Sequence, residues 1–177
     1  MALTYRNLDG RTREFMAKEL KQDVASRNLY ISPRLNAEGK AAWESLVLEA
    51  ISSQNDAWLS EEIRRRRLLN SEEERRKPTG GTIMAKVPEN ASDTLAEGEF
   101  NRYYARGLCA RAIQDKVSQV EVYRGRHSQK PRPESEALIG TRLDPAALLN
   151  DLRSSIGVEP ALDVPPGPNS GLSVFLP

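Results

Sequence analysis

One thiol, one imidazole and a concentration of guanidinium groups are the side chains of this 177-residue sequence best suited to act on another molecule. Cys109 lies among small residues with Arg106 and Arg111 nearby, and such cations favour the nucleophilic thiolate. A cysteine nucleophile also needs a general base, and His127 is the single histidine. Cysteines beside apolar residues are more often buried than reactive, so a core thiol and a surface histidine are the expectation. Arg102 and Arg106 stand one helical turn apart, a spacing at which two guanidinium forks can hold a carboxylate or a phosphate. The competing reading is that they pair with the chain's own acids, such as Glu99, along the flank of a packed helix.

These arginines open the most basic stretch of the chain. Residues 101–132 carry eight Lys and Arg against two acids, whereas residues 1–100 carry 16 against 17 and residues 133–177 carry two against six. Arg124, Arg126, Lys130 and Arg132 fall in a Pro-containing segment expected to be an exposed loop, with Tyr123 beside them. Together with Arg102 and Arg106 they are candidate anion or nucleic-acid contacts, of the kind that position a backbone rather than read a sequence. A solvated loop fits the same composition equally well. The net charge of +1 argues against a dedicated nucleic-acid coater, which concentrates far more positive charge.

Other chemistries find no support. Gly80-Gly81 is not followed by Lys-Ser/Thr and is read as a turn rather than a phosphate loop. The stretch 122–125 (Val-Tyr-Arg-Gly) with Glu134-Ser135-Glu136 resembles fragments of ADP-ribosyltransferases. The family's middle Ser-Thr-Ser strand is missing, however, and the residues between the two motifs are too few to hold its sheet. No paired carboxylates, nuclease signature or metal-ligand spacing appears, so no catalytic residue and no cofactor or metal is assigned. One cysteine excludes an internal disulfide, and no run approaches the ~20 apolar residues of a membrane span. The N-terminus lacks an apolar leader, so a reducing, cytoplasmic setting without membrane contact is expected.

The elements that must hold these residues follow from periodicity. Asp9 caps a helix over 10–26 with Phe15, Leu20 and Val24 on one side. Asn36 caps a second, in which Trp43, Leu46, Val47, Ala50 and Ile51 repeat at helical spacing; Asn55-Asp56 then breaks and recaps, and a third begins at Trp58, Leu59 and Ile63. The arginine run 64–67 is flanked by acids and reads as a solvated helix face. Ser71 with Glu74 matches a capping box, predicting one more helical turn before the break at 77–81. Beyond it, the alternation over 82–87 predicts a strand, 91–115 a long helix, 117–123 a second strand and 136–143 a third. Asp144-Pro145 starts a last helix that Gly157 closes. The fold class is therefore α+β: a helical subdomain over 1–77, a small sheet packed by a long helix over 82–157, and an extended Pro-rich C-terminal arm over 158–177.

Gly107 within the long helix predicts close backbone contact with a neighbour, since glycine there costs ~1 kcal/mol against alanine. The arm ends in Leu172, Val174, Phe175 and Leu176, four apolar anchors suited to binding a neighbouring protein subunit. The stretch 95–109 (Leu-Ala-Glu-Gly-Glu-Phe-Asn-Arg-Tyr-Tyr-Ala-Arg-Gly-Leu-Cys), with 131–140 and the closing 167–173, resembles uncharacterised proteins of tailed phages and prophages. The resemblance carries no catalytic residue and implies a context rather than a mechanism. The reading is a non-enzymatic structural or assembly protein, a virion head or head–tail junction component whose arm binds other subunits. The alternative is a nucleic-acid-binding accessory protein using 101–132.

Overall fold

The helix spanning Ala91–Gln114 (α4) is apolar on nearly every side through its centre. Phe100, Tyr103, Tyr104, Ala105, Leu108, Cys109 and Ala112 are all buried. Such a helix has to be surrounded. In the computed structural model, which describes residues 3–127, 131–157, 162–164 and 170–177, α4 is the axis of the molecule. Gly10–Ala25 (α1), Asp56–Arg65 (α3) and Pro145–Ser154 (α6) pack directly on it, and Ala37–Ser53 (α2) lies against α1 and α3.

The predicted caps are in place. The side chains of Asp9, Asn36, Asn55 and Asp144 accept from the backbone N–H groups of Thr12, Gly39, Trp58 and Ala147. Behind α4 lies a three-stranded antiparallel sheet of order β4-β3-β5, built from Val120–Arg124 (β3), Arg142–Leu143 (β4) and Leu172–Phe175 (β5). The fold is thus α+β, and one apolar cluster runs through it from Met16 to Val174. Segments 1–77 and 82–157 both contribute to that cluster, because α1 and α3 bury their apolar sides on α4.

Three local expectations are corrected. Ser71 opens no helix: Glu72–Arg76 (β1) and Thr82–Lys86 (β2) form a two-stranded antiparallel ribbon. Residues 72–76 contain no apolar side chain that a helical face could bury, while Gly80 and Gly81 accept the positive φ angles (91° and 77°) of the reversing turn. Residues 136–143 form no long strand, because Pro133–Leu138 is a short helix (α5) and only Arg142–Leu143 pairs with β3. Pro133 at a first helical position, with Glu134 and Glu136 in the first turn, is the helix-start signal that outweighs the strand pattern.

The C-terminal arm is the third. Residues 158–161 and 165–169 lie outside the described residues, but β5 pairs along β3, with Val122 opposite Val174 and Tyr123 opposite Ser173. Leu172 and Val174 are fully buried in the chain's own core and are therefore not available to a neighbour. The physical reason is ordinary: burying one such side chain contributes ~1.5–3 kcal/mol, and β3 offers an unpaired edge beside it. Phe175 is half-buried, edge-on to Tyr123 at 5.5 Å, and the Arg6 guanidinium lies over both rings at 4.3 and 4.4 Å. Leu176 packs on the same core and its N–H donates to Asn7.

The backbones of α1 and α4 approach closely. A Cβ on Gly107 would stand 2.6 Å from Met16 Cγ and 2.7 Å from the Met16 backbone nitrogen. Gly107→Ala is therefore expected to destabilise the protein by about 2 kcal/mol or more in urea unfolding, while Gly10→Ala, with nothing within 4 Å, should be neutral or slightly stabilising.

Candidate functional site

Six of the first 14 residues of α1, counted from Gly10, face inward: Thr12, Phe15, Met16, Glu19, Leu20 and Asp23. Two are acids, and buried carboxylates need a cation or several donors. Arg106 of α4 supplies both. Its guanidinium, fully buried, forks onto Asp23 at 2.6 and 2.9 Å and donates through Nε to Glu19 at 2.9 Å. Arg153, from the last turn of α6, grips the same Glu19 carboxylate at 2.6 and 3.0 Å. The Tyr103 hydroxyl donates to Asp23 at 2.8 Å. Burial alone would raise the Glu19 carboxyl, but Arg153 and Arg106 outweigh it and hold Glu19 below the usual carboxylate range.

Two further members of this junction are less well satisfied. Arg102 donates to the carbonyl of Leu152 at 3.1 Å and stands 3.9 Å from Glu99, leaving its Nε without a partner. Glu99 is buried, and its Oε2 accepts no hydrogen bond. Burial pushes its carboxyl up to about 7 against the opposing pull of Arg102 and Arg106. The arrangement links α1, α4 and α6 by charge. Cys109 is also buried, and burial pushes its thiol up, which leaves it protonated. Among the described residues no group of three or more His, Cys, Asp or Glu is placed to hold a metal ion.

The basic stretch does not form an open cationic surface. Arg106 lies inside the protein, which removes it as a contact for an outside anion; the anions it grips are Glu19 and Asp23. Arg102 is largely covered. Arg124 pairs with Glu136 and donates to the Ser170 carbonyl, and Arg126 holds Glu97 bidentately at 2.9 and 3.0 Å. Arg111, in the same stretch, holds Asp9 at 2.7 and 2.9 Å. Arg132 is exposed at the N-cap position of α5, His127 is exposed, and Lys130 lies outside the described residues. Five of the cations over 101–132 (Arg102, Arg106, Arg111, Arg124 and Arg126) therefore face carboxylates of the chain itself.

The surface feature that folding leaves unused is the β1–β2 ribbon. Its strands pack on each other and are otherwise exposed, with Ile83 and Met84 showing 51% and 58% of their surface to solvent. Arg34 ties the ribbon's base to the body through Glu73. The arginine run beside it behaves as a solvated face, with Arg64, Arg65 and Arg66 on Glu61, Glu62 and Glu38. Comparison with protein-family models, curated proteins and solved structures finds no match to this chain. No helix among the described residues is long and apolar enough to cross a membrane.

Sequence reasoning missed Glu19, Asp23 and Arg153 as members of the charged junction, and it missed the ribbon. Glu19 and Asp23 were visible in principle: both fall on the apolar stripe of α1, where a buried acid demands a buried cation. Nothing local points to Arg153, whose partner is 134 residues away.

Arg106→Met strands two buried carboxylates and is expected to cost about 3–5 kcal/mol in chemical unfolding. Glu99 gives a pH signature. Its folded-state carboxyl titrates at about 7, above the ordinary value of 4.5, so the folded protein holds more protons than the unfolded chain between these values. Stability from this group is therefore lost as pH rises from about 4.5 to 7. Glu99→Gln should abolish that part of the slope and raise stability at neutral pH by on the order of 2 kcal/mol, measured as unfolding midpoints across the range.

Proposed function

We propose that this chain is a non-enzymatic structural or assembly protein that binds neighbouring protein subunits through the β1–β2 ribbon. The observation that supports the reading is the exposure of that ribbon, a two-stranded element with Ile83 and Met84 uncovered and both outer edges unpaired by other strands. A lone hairpin is marginal by itself, and a protein that keeps one clear of its core has a use for the edge or for the side chains on it. The buried ionisable groups support the same reading from the other side. Arg106, Glu19, Asp23 and Arg153 hold helices together instead of facing a cleft.

The resemblance of residues 95–109 to tailed-phage proteins makes a virion, at the head or the head–tail junction, the proposed setting. A buried lone cysteine fits assembly in a reducing compartment. The contact surface differs from the one the C-terminal composition points to, since Leu172 and Val174 are taken up by the chain's own sheet.

Excision of the ribbon tests this. The Ser71 carbonyl accepts from Val87 N–H at 3.0 Å, so residues 72–86 can be replaced by a short Gly-Ser link without pulling the ends apart. The shortened chain should unfold at the same midpoint as the parent, yet be excluded from the assembly that takes up the parent chain. Normal incorporation of the shortened chain would overturn the proposal, and so would loss of incorporation on removing the exposed cation of Arg132 alone.

A further inference from the structure

Strand β1 reads Glu72-Glu73-Glu74-Arg75-Arg76, with Lys77 next: acids first, bases after. Its inner edge is paired with β2. Val87 N–H donates to Ser71 and Lys77 N–H donates to Gly81, which fixes the odd-numbered residues as those bonded within the ribbon. In an antiparallel ladder the alternate residues then turn their backbone N–H and C=O to the other side. Glu72, Glu74 and Arg76 thus present an open outer edge, and all three side chains are exposed.

We infer that the occupant of this edge is the β1 strand of a second copy, antiparallel about a two-fold axis at Glu74, giving a four-stranded sheet of order β2-β1-β1-β2. The inference rests on the assembly reading above and names its partner. A perpendicular two-fold axis between antiparallel strands must pass through a residue pair, because hydrogen-bonded and non-bonded pairs alternate. Centred on Glu74, it sets Glu72 opposite Arg76 and Glu73 opposite Arg75, each twice by symmetry, and it matches the outward backbone groups of 72, 74 and 76. Charges on an edge strand ordinarily block pairing. Here their order makes antiparallel self-pairing attractive, whereas parallel, in-register pairing would set like charge on like. The single like pair, Glu74 on Glu74, lies on the axis. Glu72 and Arg76 have no ion-pair partner within the chain among the described residues, so both are available. A five-residue edge buries far less than a standard interface, so the pairing is reversible in solution and gains strength where many copies are held together.

The test uses the full chain and charge exchange at two exposed positions. Sedimentation of the parent should show a concentration-dependent dimer that weakens with salt. Arg76→Glu and Glu72→Arg should each weaken it about tenfold or more, since each turns two attractive pairs into repulsive ones. An equimolar mixture of the two variants should recover association, because both 72/76 pairs across the axis are again opposite in sign. Residue 74 should meet its own copy at a Cα separation of about 5.5 Å, within disulfide reach. Glu74→Cys is therefore expected to cross-link under mild oxidation while Met84→Cys, on the outer strand, does not; the native Cys109 is buried and silent.

Cross-linking through Met84→Cys instead of Glu74→Cys would overturn the assignment of the edge. A mixture no tighter than either variant alone would overturn the pairing itself. If ribbon excision abolishes incorporation and Glu74→Cys fails to cross-link, the ribbon meets a different subunit, and this inference falls while the assembly reading stands. If Glu74→Cys cross-links and the excised chain still incorporates normally, the pairing stands and the assembly reading falls.

Discussion

The Arg106 guanidinium sits where water cannot reach it, and the rest of the structure is arranged around keeping it satisfied. Its two carboxylates come from α1, one of which is shared with an arginine from α6, so neither helix can slide along α4 without stranding a buried charge. One residue further along α4, Gly107 lets the α1 backbone at Met16 come close enough for that geometry to exist. The two features are one device. A buried ion network adds little net stability over a well-packed apolar substitute, but a displaced one is heavily penalised, and that steepness selects a single helix register.

Once α1 and α6 are fixed on α4, the uneven charge of the chain has an explanation that involves no outside partner. Arg106 and Arg111 project from the central helix, Arg124 from β3 and Arg126 from just beyond it, and the acids that meet them are brought in by α1, its N-cap, α5 and α4 itself. Arg126 on Glu97 ties the end of β3 to α4, and Arg124 reaches both α5 and the stretch leading into β5. A charge block in sequence became a set of neutral pairs in space. Local charge density reports a surface only when the fold leaves it facing solvent.

The helices were legible because their signals are local. Asp9, Asn36, Asn55 and Asp144 cap within three residues of themselves, and Trp43 to Ile51 declare their shared face by spacing alone. Two of the three corrected expectations depended on strand partners that the local pattern does not name. Residues 71–76 match a capping box, yet strand pairing with 82–86 decides their state; the C-terminal residues read as a detached arm, yet β3 lies waiting for them some 50 residues upstream. The charged junction was half legible. Arg102 and Arg106 stood out by spacing, and the reading that they pair with internal acids holds: Arg102 stands beside Glu99, whereas the acids of Arg106 are 83 and 87 residues away.

The ribbon is where the sequence and the fold part company. Through α1, α2, α3 and α6 local preference agrees with the global packing: caps lie at the helix starts, apolar sides face the core, and Arg106 meets Glu19 and Asp23. Such agreement is what singles out one native state. Residues 72–86 share almost none of it, since they bury little, carry seven charged side chains in sequence order from acid to base, and are tied down chiefly through Glu73. A segment free of any duty to the core would drift toward a short polar turn joining α3 to α4, which is all that connecting Ser71 to Val87 requires. Its length, its strand pairing and the ordering of its charges are all in excess of that requirement. On the proposal made above, the constraint comes from outside the folded chain, and an antiparallel copy of the same strand would explain the order of the charges as well as their presence.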